Sequence, residues 1–219
     1  MTREITEVAR RHLAQHGPAA LSLRAVARDV GMVSSAIYRY FPSRDDLLTT
    51  LIIEGYDDLG ATVEQAESIV RRRDLTGRWR AICVTVRRWA IEHPHEYGLL
   101  YGTPVPGYAA PQRTIASAAR VPNLMLTLLA DLSALGRDPG HGPHAVPMPR
   151  RVRASIASAR AAVEGTITAD LMARGLMAWT WLFGAVSFEL FGHLVGSVDD
   201  PDVFFAHEVD RMARVVELA

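Results

Sequence analysis

Apolar residues recur every three or four positions through nearly the whole of this chain, a spacing that an α-helix buries on one face and a strand does not. In the first segment Ile5, Val8, Ala9 and Leu13 form one stripe, and Gly17-Pro18 stops it. Leu23, Val26, Ala27 and Val30 repeat the stripe, with Ser22 placed to cap the N-terminus and Gly31 to end the helix. A short third helix is predicted over Ser34 to Phe41, with Pro42 behind it. A fourth opens at Ser43, with Asp46 as capping-box partner and Leu47, Leu48, Leu51 and Ile52 as its stripe. No run alternates at period two for long enough to make a strand, so the expected fold class is all-α.

Beyond these four elements the spacing predicts a larger helical body, with helices near 75–93, 95–101, 112–135, 150–168, 169–195 and 202–218. Pro122 either kinks or splits the third of them. Two Pro- and Gly-rich stretches interrupt the body, 102–111 and 136–149; the second, with His141 and His144, reads as a surface loop or mobile segment. With 49% hydrophobic and 22% charged residues in 219, the chain has the composition of a folded globular protein, which excludes disorder and fibrous repeats. One cysteine, Cys83, rules out an intramolecular disulfide, and the charged N-terminal segment is not a signal h-region, so a cytoplasmic location is expected. The most apolar stretch, Gly175 to Phe188, falls short of the ~20 residues of a membrane span and reads as a core helix, with no membrane partner.

Charge narrows the function classes. The 24 basic residues are all Arg and balance 24 acidic ones, which excludes a grossly basic nucleic-acid coat but not a local basic face. Residues 1–50 hold seven Arg against five acids, a weakly positive head on a weakly negative body.

Leu23 to Phe41 has the layout of a helix-turn-helix, with Gly31 where two steeply crossed helices need φ > 0. Ser34, Ser35 and Ala36 open the second helix and are small enough to reach base edges in a major groove. Tyr38, Tyr40 and Arg44 offer donors toward phosphates, and Ser22 and Arg24, at the front of the preceding helix, complete the candidate DNA-contacting set.

The segment "LSLRAVARDVGMVSSAIYRYFPSRDDLL", Leu21 to Leu48, resembles the helix-turn-helix of the TetR family of transcriptional regulators. Gly31, Tyr38, Phe41, Ser43 and Leu47 fall together at the family spacing. Tyr40 stands where the family often has His, and Arg44 where it usually has Lys; both can still donate to phosphate. The resemblance implies an N-terminal three-helix head, residues 1–45, and a helical-bundle body, 46–219, that binds a small molecule and dimerises. It further implies a double-stranded, palindromic DNA operator as partner and a repressor released by its ligand.

Two body segments, His93 to Pro111 and Trp179 to Leu194, resemble a TetR C-terminal subclass named for a Trp-His-Gly motif. Trp179 and Gly184 match it, while Phe183 replaces the His. Trp89, Tyr97, Tyr101, Trp179 and Phe183 are therefore the first candidates to line a mostly apolar effector pocket. The last two helices, with small residues Gly175, Ala178, Gly184 and Ala185, are the expected homodimer interface.

No cofactor or metal is expected. Glu189 and His193, or His93 and His95, give at most two ligands each, and Cys83 reads as a buried hydrophobe. No nucleophile elbow, phosphate loop or zincin motif supports an enzyme. A helical ligand-binding or interaction protein without DNA function, and an activator, stand as alternatives at this level.

Overall fold

The computed structural model describes residues 1–137, 148–161, 163 and 167–219; among them it contains eleven α-helices and no strand. The expected loop 136–149 lies almost wholly outside the described residues. The chain divides into two compact units, one of residues 1–60 and 89–120, the other of residues 61–88 and 121–219.

The first unit contains α1 (Thr2–His16), α2 (Leu23–Val30), the first part of α3 (Arg44–Ser68), α5 (Pro94–Tyr101), α6 (Ile115–Ala118) and three 3-10 turns, of which Ile37–Arg39 follows α2. Between α3 and α5 in sequence runs α4 (Leu75–Glu92), whose last residues also belong here. The predicted stripes form the core: Ile5, Val8, Ala9 and Leu13 of α1 meet Leu23, Val26 and Ala27 of α2, Ile37, Phe41, and Leu47, Leu48 and Leu51 of α3. Val105 and Tyr108 close this core, and the Tyr108 hydroxyl lies 2.9 Å from Thr49 Oγ1. Arg113 bonds Asp46 at 3.0 Å. These contacts join residues 105–113 to the compact unit that holds the head.

The second unit contains α4 up to Arg88, α7 (Arg120–Ala134) from Val121 onward, α8 (Arg150–Ser155), α9 (Ala157–Ala161), α10 (Ala169–Leu190) and α11 (Pro201–Val215). Its core is built on Trp79, whose indole donates to the Val209 carbonyl at 3.0 Å, and on Ile82, Cys83, Leu128, Leu132, Leu171, Met172 and Leu182. Buried charge is paired. Arg78, 4% exposed, bonds Glu67 and, at 2.7 Å, Asp131, which Arg72 also reaches. Burial alone would raise the Asp131 carboxyl, but the two guanidinium groups reverse this and hold it below the usual carboxylate range. Arg87 grips Glu189 with two bonds of 2.6 and 2.7 Å and lies over the Phe205 ring.

Several predicted boundaries differ. The helix expected over 112–135 breaks at Ala119. Pro122 sits in the first turn of α7, where it has no N–H to offer the Ala118 carbonyl, so the break falls one turn ahead of it. The segment 150–168 is two short helices interrupted at Ile156, with part of its end outside the described residues. The helix expected to reach 195 stops at Leu190, because Gly192 takes φ +78° and the His193 N–H returns to the Phe188 carbonyl at 2.8 Å. His193 therefore leaves the helix face it was expected to share with Glu189. Ser22 occupies the N-cap of α2 without making a side-chain cap bond.

By length and hydropathy α10 could cross a membrane. It carries a buried arginine, Arg174, and packs Leu171, Met172, Gly175, Ala178, Leu182 and Val186 inside the second unit, as a core helix does.

Candidate nucleic-acid interface

The geometry of the head begins with a left-handed residue. Gly31 has φ +79°, its N–H bonds the Arg28 carbonyl, and the Met32 N–H returns to the Ala27 carbonyl at 2.9 Å. This doubly bonded cap ends α2 and turns the chain sharply, and a Cβ at that position would strain the backbone. A 2.7 Å bond between His12 and Asp29 ties α1 to the end of α2. The His12 ring is the main reason the Asp29 carboxyl titrates low.

The segment that follows departs from the predicted helix over Ser34 to Phe41. Ser34 to Ala36 form a turn and Ile37–Arg39 a single 3-10 turn, joined by i→i+3 bonds from Ala36, Arg39 and Tyr40 back to Val33, Ala36 and Ile37. Eight residues that end against Pro42 leave an α-helix almost no room to propagate, and the tighter turn is the usual outcome. Ile37 and Phe41, 0% and 4% exposed, fasten this segment to the core. The residues between them face outward.

Ser34 and Ser35 are exposed, Ala36 is half-buried, and Tyr38 and Tyr40 are 45% and 42% exposed. Ser22 and Arg24 are exposed at the start of α2, and α2 packs against the 3-10 turn, so these seven residues belong to one helix-turn-helix scaffold. The start of α3 is fixed by Ser43, whose hydroxyl accepts from the Asp46 N–H at 3.1 Å and donates to its carboxylate at 2.8 Å. That hydroxyl is the leading cause of the lowered Asp46 pKa.

The Arg44 Nη2 donates to the Pro18 and Ala19 carbonyls at 2.9 and 3.2 Å, and its Nε to the Leu21 carbonyl at 3.2 Å. The guanidinium is thus bound to the turn after α1 as well as standing at the start of α3. Two residues missed in the sequence lie on the exposed segment: Arg39, between the two tyrosines, and Val33, 71% exposed. The alternation Tyr-Arg-Tyr was the available signal for Arg39, because residues that flank a buried anchor on a short turn face solvent.

The aromatic candidates for an effector pocket are divided between the units. In the first, Trp89 is 2% exposed and donates to Asp58 at 2.7 Å, and Tyr97 is fully buried with its ring 5.1 Å from Tyr101. Tyr101 also meets Tyr56 edge-on at 5.8 Å, and burial pushes both hydroxyls up. Tyr97 is packed core and Tyr101 half-buried, while Trp89 lines a cavity of about 640 Å³ with Glu54, Asp58, His93 and Glu96. In the second, Trp179, 38% exposed, borders an apolar cavity of about 150 Å³ with Pro122, Met125, Leu129 and Met172. Phe183 is half-buried and does not line that cavity.

Two of the small residues assigned to a dimer face are used internally instead. A Cβ on Gly175 would lie 2.3 Å from Leu129, and Ala178 is 1% exposed, whereas Gly184 has open space.

A glycine-capped helix-turn-helix with an exposed polar second element defines the chain as a helix-turn-helix protein. Residues 5–51 match the family model described as bacterial regulatory proteins, tetR family, and residues 79–212 match the tetracyclin repressor-like C-terminal domain. The HTH-type transcriptional regulators Rv1816 of Mycobacterium tuberculosis (strain ATCC 25618 / H37Rv) and Mb1846 of Mycobacterium bovis (strain ATCC BAA-935 / AF2122/97) are each 38% identical over 215 residues, 97% of this chain and 91% of theirs. The crystal structure named for the regulatory protein SCO4313 is similar with a TM-score of 0.78 and 30% identity, covering 96% of this chain and 94% of that one. The TetR family regulator PfmR of Thermus thermophilus shares the fold at 15% identity and a TM-score of 0.61, covering 96% and 97%. The chain belongs to the TetR family of DNA-binding transcriptional regulators.

Proposed function

We propose that the protein is a homodimeric cytoplasmic repressor that leaves a palindromic operator when a small molecule binds its body. The carrying observation is the outward set Ser34, Ser35, Ala36, Tyr38 and Tyr40, held on a scaffold that Ile37, Phe41 and Gly31 make rigid. Ser35 and Ala36 face base edges; Tyr38, Tyr40, Ser22, Ser34, Arg24 and Arg39 reach phosphates and set the register. With the contact module at 1–45 and the body at 46–219, two recognition elements about 34–36 Å apart would fill successive major grooves, and a small change of that spacing would cost one half-site.

The dimer forms through the last two helices. Phe188 and Val203, 56% and 66% exposed, and Phe204, 38% exposed, present an apolar surface that monomers seldom leave in water. The cavity beside Trp179 takes the apolar part of an effector, with Phe183 close in sequence on the same helix.

The test is selection of operators from a random DNA pool, followed by affinity measured against salt. A two-fold symmetric consensus bound with a steep salt dependence supports the reading. Binding without sequence preference, or none, sinks it.

A further inference from the structure

The second unit holds a cavity of about 570 Å³ that none of the aromatic candidates lines. Its walls come from the start of α10 (Asp170, Ala173, Arg174, Met177), the end of α11 (Arg211, Arg214, Val215) and the chain entering α8 (Met148, Pro149, Val152). The size suits a small organic molecule, since ligand sites commonly run from about 300 to 1,000 Å³.

Arg174 is the unusual member. It is 5% exposed; its Nε donates to Asp170 at 2.7 Å, and its Nη1 to the Val215 carbonyl at 3.0 Å and Glu217 at 2.9 Å. Its Nη2 is buried with no hydrogen-bond partner, the one such side-chain atom found among the described residues. Leaving a charged donor unsatisfied in the interior costs more than leaving a neutral one, so it marks a place where a partner of opposite charge is due. Glu217, which helps hold the guanidinium, sits at φ +67°, the one non-glycine residue at positive φ among those described.

Arg211 and Arg214 are exposed on the same wall and make no hydrogen bond or ion pair among the described residues. Three guanidinium groups against the carboxylates of Asp170 and Glu217 leave one positive charge to be matched. Met148, Pro149, Val152, Ala173, Met177 and Val215 supply an aliphatic lining with no aromatic ring.

We propose that this cavity binds an organic monoanion, a carboxylate on an aliphatic body, with its oxygens on the guanidinium groups of Arg211 and Arg214 and its charge also matched by Arg174 on the same wall. Guanidinium pairs well with the two oxygens of a carboxylate, and the single surplus charge fits a monoanion better than a phosphate dianion. The site lies at the N-terminal end of α10 and the C-terminal end of α11, whereas Phe188, Val203 and Phe204 lie at the opposite ends of those helices. A dimer centred on those residues leaves the cavity reachable, and the inference does not depend on DNA binding.

Isothermal titration of the full chain with octanoate, octanol and inorganic phosphate tests it. Octanoate should bind at least about tenfold more tightly than octanol, and phosphate should bind more weakly than octanoate. Because Arg174 is buried and its loss could unfold the chain, the variants are Arg211→Gln and Arg214→Gln, both exposed. Each should weaken octanoate about tenfold or more and leave octanol unchanged. Equal binding of octanoate and octanol, octanoate binding unmoved by both substitutions, or phosphate binding as tightly as octanoate would each overturn the proposal.

Discussion

Two arginines of the head differ in what their donors meet. Arg24 is exposed and makes no hydrogen bond among the described residues, whereas Arg44 spends its donors on three backbone carbonyls. We expect Arg24→Ala to lower the slope of log affinity against log salt by about 1, the signature of one lost phosphate contact. Arg44→Ala should leave that slope nearly unchanged and lower unfolding stability by about 2 kcal/mol, the usual worth of hydrogen bonds from a charged donor. Affinity measured across a salt series, with urea unfolding of the same proteins, distinguishes them. Asp131 gives a pH-dependent case. Its folded pKa is lowered, so its stabilising share is present above the unfolded value near 3.9 and lost as pH falls through the folded one. Asp131→Asn should therefore be less stable than the parent at pH 7, with the gap closing below about pH 4. A gap that is constant with pH would mean that the carboxylate charge contributes nothing.

Among the elements, helices with strong stripes and terminal signals were legible in the sequence. Thus α1, α2 and the start of α3 stand where spacing and capping residues put them, since each buries its stripe in one local core. The short element after Gly31 was legible in place but not in type, because its geometry is set by Pro42 and by two buried anchors rather than by period. The end of α10 could have been read from Gly192, which supplies the left-handed cap; the apolar residues beyond it drew the helix too far. The backbone bonds of Arg44 were not legible for a different reason. A cation at a helix start suits both phosphate and carbonyls, and only the fold shows the Pro18 to Leu21 carbonyls within its reach. Gly31→Ala puts a Cβ on a left-handed residue at φ +79° and should cost about 1–2 kcal/mol in thermal unfolding. The loss of DNA affinity should exceed that stability loss if the turn angle aims the recognition segment. Affinity unaffected at temperatures where the variant is fully folded would show that the turn tolerates another conformation.

At the scale of the whole molecule, the use of the small residues of α10 was only half legible. The apolar character of α10 was plain, but spacing alone could not divide its small residues between the unit's own core, which takes Gly175 and Ala178, and an outward face that keeps Gly184. We expect Phe188→Glu to shift the mass in solution from dimer to monomer and to abolish operator binding, while far-ultraviolet circular dichroism stays helical. Static light scattering decides; a variant that stays dimeric moves the interface elsewhere. The aromatic pocket candidates were legible as apolar residues only, because whether an aromatic ring fills a core or borders a cavity depends on neighbours distant in the chain. Tyr97 is fully buried, whereas Trp89 and Trp179 each border a cavity.

Cys83 is the one thiol of the chain and is fully buried in the second unit, where burial raises its pKa well above the usual value. A thiol reagent can therefore react only when that unit opens. With reclosing faster than labelling, the labelling rate reads the opening equilibrium of the unit directly, without added fluorophore or mutation. A molecule that binds only the closed unit must slow the reaction by the factor one plus its concentration over Kd, so the native sulfur serves as a clock against which candidate effectors can be ranked.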